Sequence, residues 1–215
     1  MYKSPMNSSK KHKRTPMNSS KKHKRTPMNS SKKHKRTPIK KIKVYFNQHK
    51  ILGETINMYF ISLPHFLGSC KNKLNLKTIS SKARRKISKT LKLQNYIRRH
   101  KKCVNIIPIN KHTSTRLLET LINKNTTYTY CLTKSTLVLS ETITPTNDTL
   151  IKDLMSKHIL LCNENPCASG EMHIDKDTFV FNNNSGSYKP GNEHLERLQK
   201  SLPFLKLKIE NINNV

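Results

Sequence analysis

The stretch of sequence that decides the fold is YTYCLTKSTLVL, from Tyr128 to Leu139. Tyr128, Tyr130 and Leu132 alternate with other residues, which places them on one side of an extended segment. Leu137 to Leu139 follows as a second apolar run, and the β-branched and aromatic residues in both runs favour strands. Two successive strands are therefore predicted here.

The chain that follows these strands predicts a small module with both strands and helices. The later elements are expected at 148–161 (a short helix or loop), 171–174 and 178–181 (a hairpin), 192–201 (a helix) and 205–209 (a half-buried strand). Asn192 is expected to cap the helix, with Glu193 in its first turn. The order predicts an α+β fold in which the C-terminal helix packs on a small mixed sheet, over residues 114–215.

The charge of the chain is divided near residue 113. Residues 1–113 contain 31 Lys and Arg against one acid, Glu54, whereas residues 114–215 contain 11 Lys and Arg against 11 acids. The first half therefore carries the whole formal net charge of +30. A basic segment attached to a neutral module predicts polyanionic partners, which are nucleic acid, an anionic membrane surface or an acidic protein.

The first 38 residues are built from a repeat. The unit PMNSSKKHKRT occurs three times between Pro5 and Thr37. Met is its only apolar residue apart from Pro, so the arm cannot bury enough surface to offset the entropy of ordering and is predicted to be disordered. Each KKHKR cluster is typical of nuclear-import signals and nucleic-acid tethers. The predicted contact residues are Lys10, Lys11, Lys13, Arg14, Lys21, Lys22, Lys24, Arg25, Lys32, Lys33, Lys35 and Arg36.

Residues 39–113 predict a basic, partly helical segment. Residues 39–46 alternate enough to predict a short strand, and apolar residues recur every four positions from Ile79 to Leu91, which predicts a helix over 79–102. Basic amphipathic helices bind phosphates, anionic membranes or calmodulin-like grooves. The arginines predicted to contact nucleic acid are Arg84, Arg85, Arg98 and Arg99. Residues 93–98, LQNYIR, resemble the start of an IQ motif, the calmodulin-binding signature, although Arg99 stands where Gly is usual.

The neutral module resembles a known family. The run from Tyr128 to Leu139, the segment SKHILL at 156–161, ASGE at 168–171 and NSGSYKP at 184–190 are similar to the C-terminal block of plant IQ-motif calmodulin-binding proteins. Similar blocks occur in uncharacterised proteins of large DNA viruses and in bacterial toxin-like proteins. Ser187 replaces a His that is common in the family's loop. The motif residues are His158, Gly170, Glu171, Ser185, Gly186, Tyr188 and Pro190. The resemblance implies a fold unit rather than a reaction.

Two chemical hypotheses concern the neutral module. His158, Cys162, Cys167 and His173 have a spacing that permits zinc, but C-x4-C is atypical, and the alternative is free thiols beside a turn. Five cysteines cannot all pair, which indicates free thiols in a reducing compartment. Glu171, Ser185, Tyr188 and His158 are the polar residues expected to converge around the Asn-Ser-Gly loop, as a pocket or as turn chemistry. No metal and no cofactor is predicted.

The sequence therefore predicts a non-enzymatic protein that binds polyanions, with nucleic acid as the first choice, through its basic N-terminal half. One alternative is a calmodulin-like or other acidic protein bound by the helix at 79–102. A weaker alternative is an enzyme or effector with a site at the Asn-Ser-Gly loop. The expected location is intracellular, with nuclear import through the KKHKR clusters, or the host cell if the protein is viral. No transmembrane segment is predicted, because Ile51 to Gly68 is short and interrupted.

Overall fold

A computed structural model describes residues 39–51, 54–67, 81–121, 125–141, 157–162 and 166–212. These residues belong to one compact unit that spans Pro38–Val215. The repeat arm, with all of its predicted contact residues, lies outside the described residues.

Eight strands form one mixed sheet in the order β3-β1-β2-β5-β4-β6-β7-β8. Neighbouring strands are antiparallel, apart from β7 and β8, which are parallel. The strands are β1 Lys41–Ile51, β2 Glu54–Ser62, β3 Lys102–Pro108, β4 Tyr128–Leu132, β5 Thr136–Glu141, β6 Ala168–Asp175, β7 Thr178–Asn182 and β8 Leu207–Glu210. The sheet joins residues on both sides of position 113, because β2 pairs directly with β5.

Cross-strand rows of apolar side chains explain why these strands associate. One row runs through five paired residues, Val44, Ile61, Leu137, Leu132 and Ala168. All five are almost completely buried in the larger of the two hydrophobic cores. Paired side chains of this kind stabilise a sheet through their direct contact. The alternation of Tyr128, Tyr130 and Leu132, which face this core, is confirmed.

Helices cover both faces of the sheet. They are α1 Ser81–Arg99, α2 Thr113–Thr120, α3 Lys157–Leu161 and α4 Asn192–Ser201. Leu117 of α2 and Leu198 of α4 belong to the larger core, together with the tyrosines of β4. Ile97 of α1 and Leu160 of α3 belong to the smaller core on the opposite face, with Phe60, Cys131 and Val138. The sheet is therefore the middle layer of three.

The predicted α+β class is confirmed by this mixed sheet and the four described helices. The hairpin is confirmed as β6 and β7, in which Asp175 pairs with Thr178 across a two-residue turn. The predicted cap at Asn192 is wrong by one residue. Gly191 is the N-cap of α4, and its N–H donates to Nδ1 of His194 at 3.1 Å. Strand β3 and helix α2 were not predicted.

Candidate nucleic-acid interface

Helix α1 has a broad basic surface. It contains eight Lys and Arg and no acidic residue. Its exposed cations are Arg84, Arg85, Lys89, Lys92 and Arg99, which we call the α1 face. Arg84, Arg85 and Arg99 are therefore exposed on this helix, and their contact with nucleic acid stays a prediction. With no acid on the helix itself, the charge of the α1 face is not neutralised by i,i+4 pairing.

Arg98 differs from its three predicted companions. It is half-buried, and its Nη2 donates to the carbonyl oxygen of Leu161 in α3 at 3.3 Å. This hydrogen bond connects the end of α1 to the end of α3. The structure thus separates Arg98 from the α1 face, although the two arginines at 98 and 99 are adjacent in sequence.

The opposite side of α1 is buried against the sheet. Ile87, Thr90, Gln94 and Ile97 form this side. The side chain of Asn47 on β1 donates from Nδ2 to the carbonyl oxygen of Ile97 at 2.9 Å, which fastens the last turn of the helix. Gln94 and Ile97 are both 0% exposed and belong to the IQ-like stretch. A calmodulin-type partner could therefore contact them only if α1 left the sheet.

Strand β1 adds cations on the same side of the sheet as α1. Lys41 and Lys43 are exposed and alternate with Ile42 and Val44, which face the larger core. Since successive side chains of a strand point to opposite faces, Lys41 and Lys43 point toward the α1 side. The basic surface of the described residues is therefore wider than the helix alone.

Three aromatic rings, of which Tyr96 and His100 are exposed and His49 is half-buried, lie at the C-terminal end of the α1 face. The ring of Tyr96 is 5.0 Å from that of His49 on β1 and 4.1 Å from that of His100, measured between centroids. Nδ1 of His100 is 2.8 Å from the carbonyl oxygen of Tyr96. Tyr96 is 48% exposed. We call these three rings the aromatic shelf; with Phe46 and Lys102 they line a groove of about 380 Å³.

The sequence did not reveal the aromatic shelf. His49 and Tyr96 are far apart along the chain and meet because β1 passes beneath the last turns of α1. The sequence singles out Tyr96 only as part of the IQ-like stretch. The one signal in the sequence is its place next to Ile97, which lies near the apolar face predicted for the helix.

His158 and Gly170, two of the predicted motif residues, lie in the interior. His158 is buried, and its Nε2 is 3.2 Å from the carbonyl oxygen of Gly170. Burial lowers the pKa of His158 to about 4, which keeps the ring neutral. Gly170 is required because a Cβ there would lie 2.0 Å from the carbonyl oxygen of Asn182. That oxygen also accepts a hydrogen bond from the Tyr130 hydroxyl at 2.9 Å.

Glu171 anchors the Asn-Ser-Gly loop to the sheet. Its carboxylate accepts hydrogen bonds from Nζ of Lys157 at 2.9 Å and from Nδ2 of Asn184 at 3.0 Å. Its N–H donates to Oδ1 of Asn182 at 2.9 Å. Burial alone would raise the pKa of Glu171, but the hydrogen bonds from Lys157 and Asn184 and the charge of Lys157 outweigh it and hold that pKa below its usual value.

The remaining motif residues also hold the loop in place. The Tyr188 hydroxyl donates to the carbonyl oxygen of Cys162, and burial raises the pKa of Tyr188. Pro190 is buried and accepts a hydrogen bond from Nδ2 of Asn183 at 3.2 Å. Ser185 is buried, whereas Gly186 is exposed. The hydrogen bonds among these residues are those of a structured turn, which was one of the two readings of the loop.

The proposed zinc ligands do not form a metal cluster. The described residues contain no group of three or more His, Cys, Asp or Glu side chains that could hold a metal ion. Cys167 is disulfide-bonded, so the prediction that its thiol is free is wrong; an odd number of cysteines still allows one pair. Its partner is not among the other described cysteines, since Cys103, Cys131 and Cys162 are free.

Comparison with known proteins gives no relative. No family model, no curated protein and no solved structure matches the chain. The resemblance to the plant IQ-motif proteins therefore stays a prediction. Within the described ranges, no helix is both long enough and apolar enough to cross a membrane.

Proposed function

We propose that this protein binds nucleic acid through the α1 face and the aromatic shelf. The observation that carries the proposal is the position of exposed aromatic rings at the end of an acid-free basic helix. Lysines and arginines that neutralise phosphates supply sequence-independent affinity, and exposed rings stack on unpaired bases. This combination favours a strand with accessible bases over a fully paired duplex.

The alternative of a calmodulin-like partner is less well supported. The residues on which the IQ-like match depends, Gln94 and Ile97, are buried against the sheet. An acidic protein would use the charge of the α1 face but would leave the aromatic shelf without a role. The basic arm at residues 1–38 adds 13 further Lys and Arg, which would strengthen binding to any long polyanion.

The test is binding of the full chain to a labelled single-stranded oligonucleotide, followed by fluorescence anisotropy over a series of salt concentrations. The variant combines Arg85→Gln, Lys92→Gln and Arg99→Gln. The matched control combines Lys176→Gln, Lys189→Gln and Lys200→Gln, which removes three exposed cations of the neutral half. We expect the first variant to lower the slope of log affinity against log salt by about 2, and the control to leave it unchanged.

Tyr96→Leu separates stacking from charge. We expect this variant to bind the single strand about tenfold more weakly and a duplex of the same length unchanged, because stacking on an aromatic ring is worth about 1–3 kcal/mol per base. Equal effects of the two triple variants would refute the proposed interface. Binding that requires calcium, resists moderate salt and disappears with a chelator would instead support the calmodulin-like alternative.

A further inference from the structure

A second basic site lies beneath the C-terminal end of α1, apart from the α1 face. It is a pocket of about 330 Å³ between α1, the turn that connects β4 to β5 and the segment that follows β2. Three cations line it: Arg98 in the last turn of α1, Lys101 just after the helix, and Lys134 in the turn. We call this cavity the basic pocket.

The cations of the basic pocket have no acidic partner in the described part of the chain. The Arg98 guanidinium makes one hydrogen bond, to the carbonyl oxygen of Leu161, and its other N–H groups remain available. The Lys101 ammonium lies 4.8 Å from the ring centroid of Tyr45 and 5.0 Å from that of Phe60. Burial, followed by the charge of Arg98, lowers the pKa of Lys101. A bound anion would relieve this crowding of like charges.

The turn supplies a neutral donor beside these charges. Oγ of Ser135 and Oγ1 of Thr136 are 3.5 Å apart and share one hydrogen bond, which leaves one of their two hydroxyl protons available. The backbone is fixed at this place, because Oγ1 of Thr133 accepts from the N–H of Thr136 at 3.1 Å. Pairs of cations with a hydroxyl donor are suited to the several oxygens of a phosphate group.

The segment after β2 forms an apolar wall of the pocket. The N–H of Leu67 donates to the carbonyl oxygen of Lys134 at 2.7 Å, and that of Leu63 donates to Ser135 at 2.8 Å. Phe66 lies within this segment and is 72% exposed, and Phe60 and Val138 lie deeper. The wall is therefore held against the basic turn and offers apolar surface next to the charges.

We propose that the basic pocket binds a phosphate group carried on a small organic or nucleotide moiety. Arg98, Lys101 and Lys134 would contact the phosphate oxygens, a hydroxyl of the turn would donate to one of them, and the carrier would lie against Phe66. The proposal does not depend on nucleic-acid binding by the α1 face, since it uses different side chains.

The test is isothermal titration calorimetry of the full chain at physiological salt, with inorganic phosphate and with adenosine monophosphate as probes. The pocket variant combines Lys101→Met and Lys134→Gln, and the matched control combines Lys111→Met and Lys200→Gln, two exposed cations outside both proposed sites. We expect binding of adenosine monophosphate to weaken about 100-fold in the pocket variant, since each lost charge-assisted hydrogen bond costs about tenfold. The control should bind as the unmodified protein does.

A measurement at Lys101 alone distinguishes binding in the basic pocket from binding by the basic arm at residues 1–38. Acetylation of Lys101, followed by mass spectrometry of its peptide, should slow several-fold when adenosine monophosphate is added, while acetylation of Lys200 should not change. Because Lys134 is exposed in its turn, Lys134→Gln alone provides a variant that does not disturb the fold. Circular dichroism melting checks that both double variants remain folded.

The probes distinguish the source of the phosphate. Tighter binding of adenosine monophosphate than of inorganic phosphate indicates a free phosphorylated compound. A 5′-phosphorylated oligonucleotide that binds more tightly than its 5′-hydroxyl counterpart, with an advantage lost in the pocket variant, indicates the end of a strand. If the pocket variant and the control bind every phosphate probe equally, the proposal is wrong, whatever the triple variant of the α1 face does to strand binding.

Discussion

Helices α1 and α4 cover opposite faces of one sheet and differ in the charges on their outer sides. The outer side of α4 carries Glu193 and Glu196 with Arg197 and Lys200, and Nζ of Lys200 is 3.8 Å from the carboxylate of Glu196. The outer side of α1 carries five exposed cations and no acid. The charges of α4 can be paired within the helix, whereas α1 itself offers no acid to its own cations, and this difference is why we propose binding at the α1 side.

The buried sides of the two helices differ as well. Leu198, together with Leu202 at the C-cap, brings α4 onto the larger core by apolar contact. Thr90 and Gln94 lie in the buried side of α1, and neither polar side-chain atom of Gln94 has a partner in the described structure. An unpaired buried amide costs free energy. We therefore expect the α4 side to contribute more to stability, and we propose the α1 side as the binding surface.

The largest expected effect is a loss of stability, without a loss of affinity, on truncation of a core residue of α4. Leu198→Ala should lower the free energy of unfolding by about 3 kcal/mol, because it removes a fully buried side chain from the larger core. Urea denaturation measures this loss. Affinity for the oligonucleotide, measured at a temperature where the variant is folded, should not change. A loss of affinity as large as that of the triple variant of the α1 face would contradict the division of roles.

The second-largest expected effect is a loss of stability in acid, caused by His158 of α3. Its pKa is about 4 in the folded protein against 6.5 for an ordinary histidine. Between these two values the unfolded chain binds a proton at this residue and the folded protein does not. Stability therefore falls as the pH falls from 6.5 toward 4, by about 2 kcal/mol at pH 5 and about 3 kcal/mol in total. Below pH 4 this contribution no longer changes.

His158→Gln is the control for the acid effect. Glutamine keeps a donor within reach of the Gly170 carbonyl oxygen but does not titrate. Denaturation between pH 6.5 and 5, before the carboxylates bind protons, should show a flatter dependence on pH in the variant. An unchanged slope would mean that another group is responsible.

The local patterns predicted the elements with regular side-chain spacing. The alternation in β1, β4 and β8, the hairpin of β6 and β7 and the four-residue spacing of α1 were visible in the sequence. Strand β3 was missed because the helix had been extended to Lys102 and because β3 is mostly exposed and does not alternate. Helix α2 was missed because Leu117 and Leu118 are its only buried apolar residues and no side chain caps it.

The pairing of strands that are far apart along the chain could not be predicted from local sequence patterns. Tyr59 of β2 pairs with Leu139 of β5 across a long stretch of chain, and this pairing brings the basic and the neutral halves into one sheet. The basic pocket depends on the same pairing, because Lys134 lies in the turn that leads into β5. The cations of the predicted helix are visible in the sequence. The sequence does not show that Arg98 and Lys101 line the same pocket as Lys134.

Gln94→Met should raise the stability of the α1 side. Methionine keeps the length and flexibility of the glutamine side chain but has no amide to bury, so we expect a gain of about 1–2 kcal/mol in the free energy of unfolding. Thr90→Val is the comparison variant, since the Thr90 hydroxyl already donates to the Lys86 carbonyl oxygen at 2.9 Å. A destabilised Gln94→Met variant would contradict the expected cost of an unpaired amide at this position.

The smallest expected effects have opposite signs on the two helices. Lys200→Gln should cost α4 a few tenths of a kcal/mol, because it removes an exposed i,i+4 pair with Glu196. Arg85→Gln should stabilise α1 by a similar amount, because Arg85 and Lys89 are exposed like charges four residues apart. Thermal melting at low salt should resolve the two shifts, and moderate salt should reduce both. Shifts of the same sign would mean that the charges of α1 are already balanced within the protein, which would contradict binding of an external anion at the α1 face.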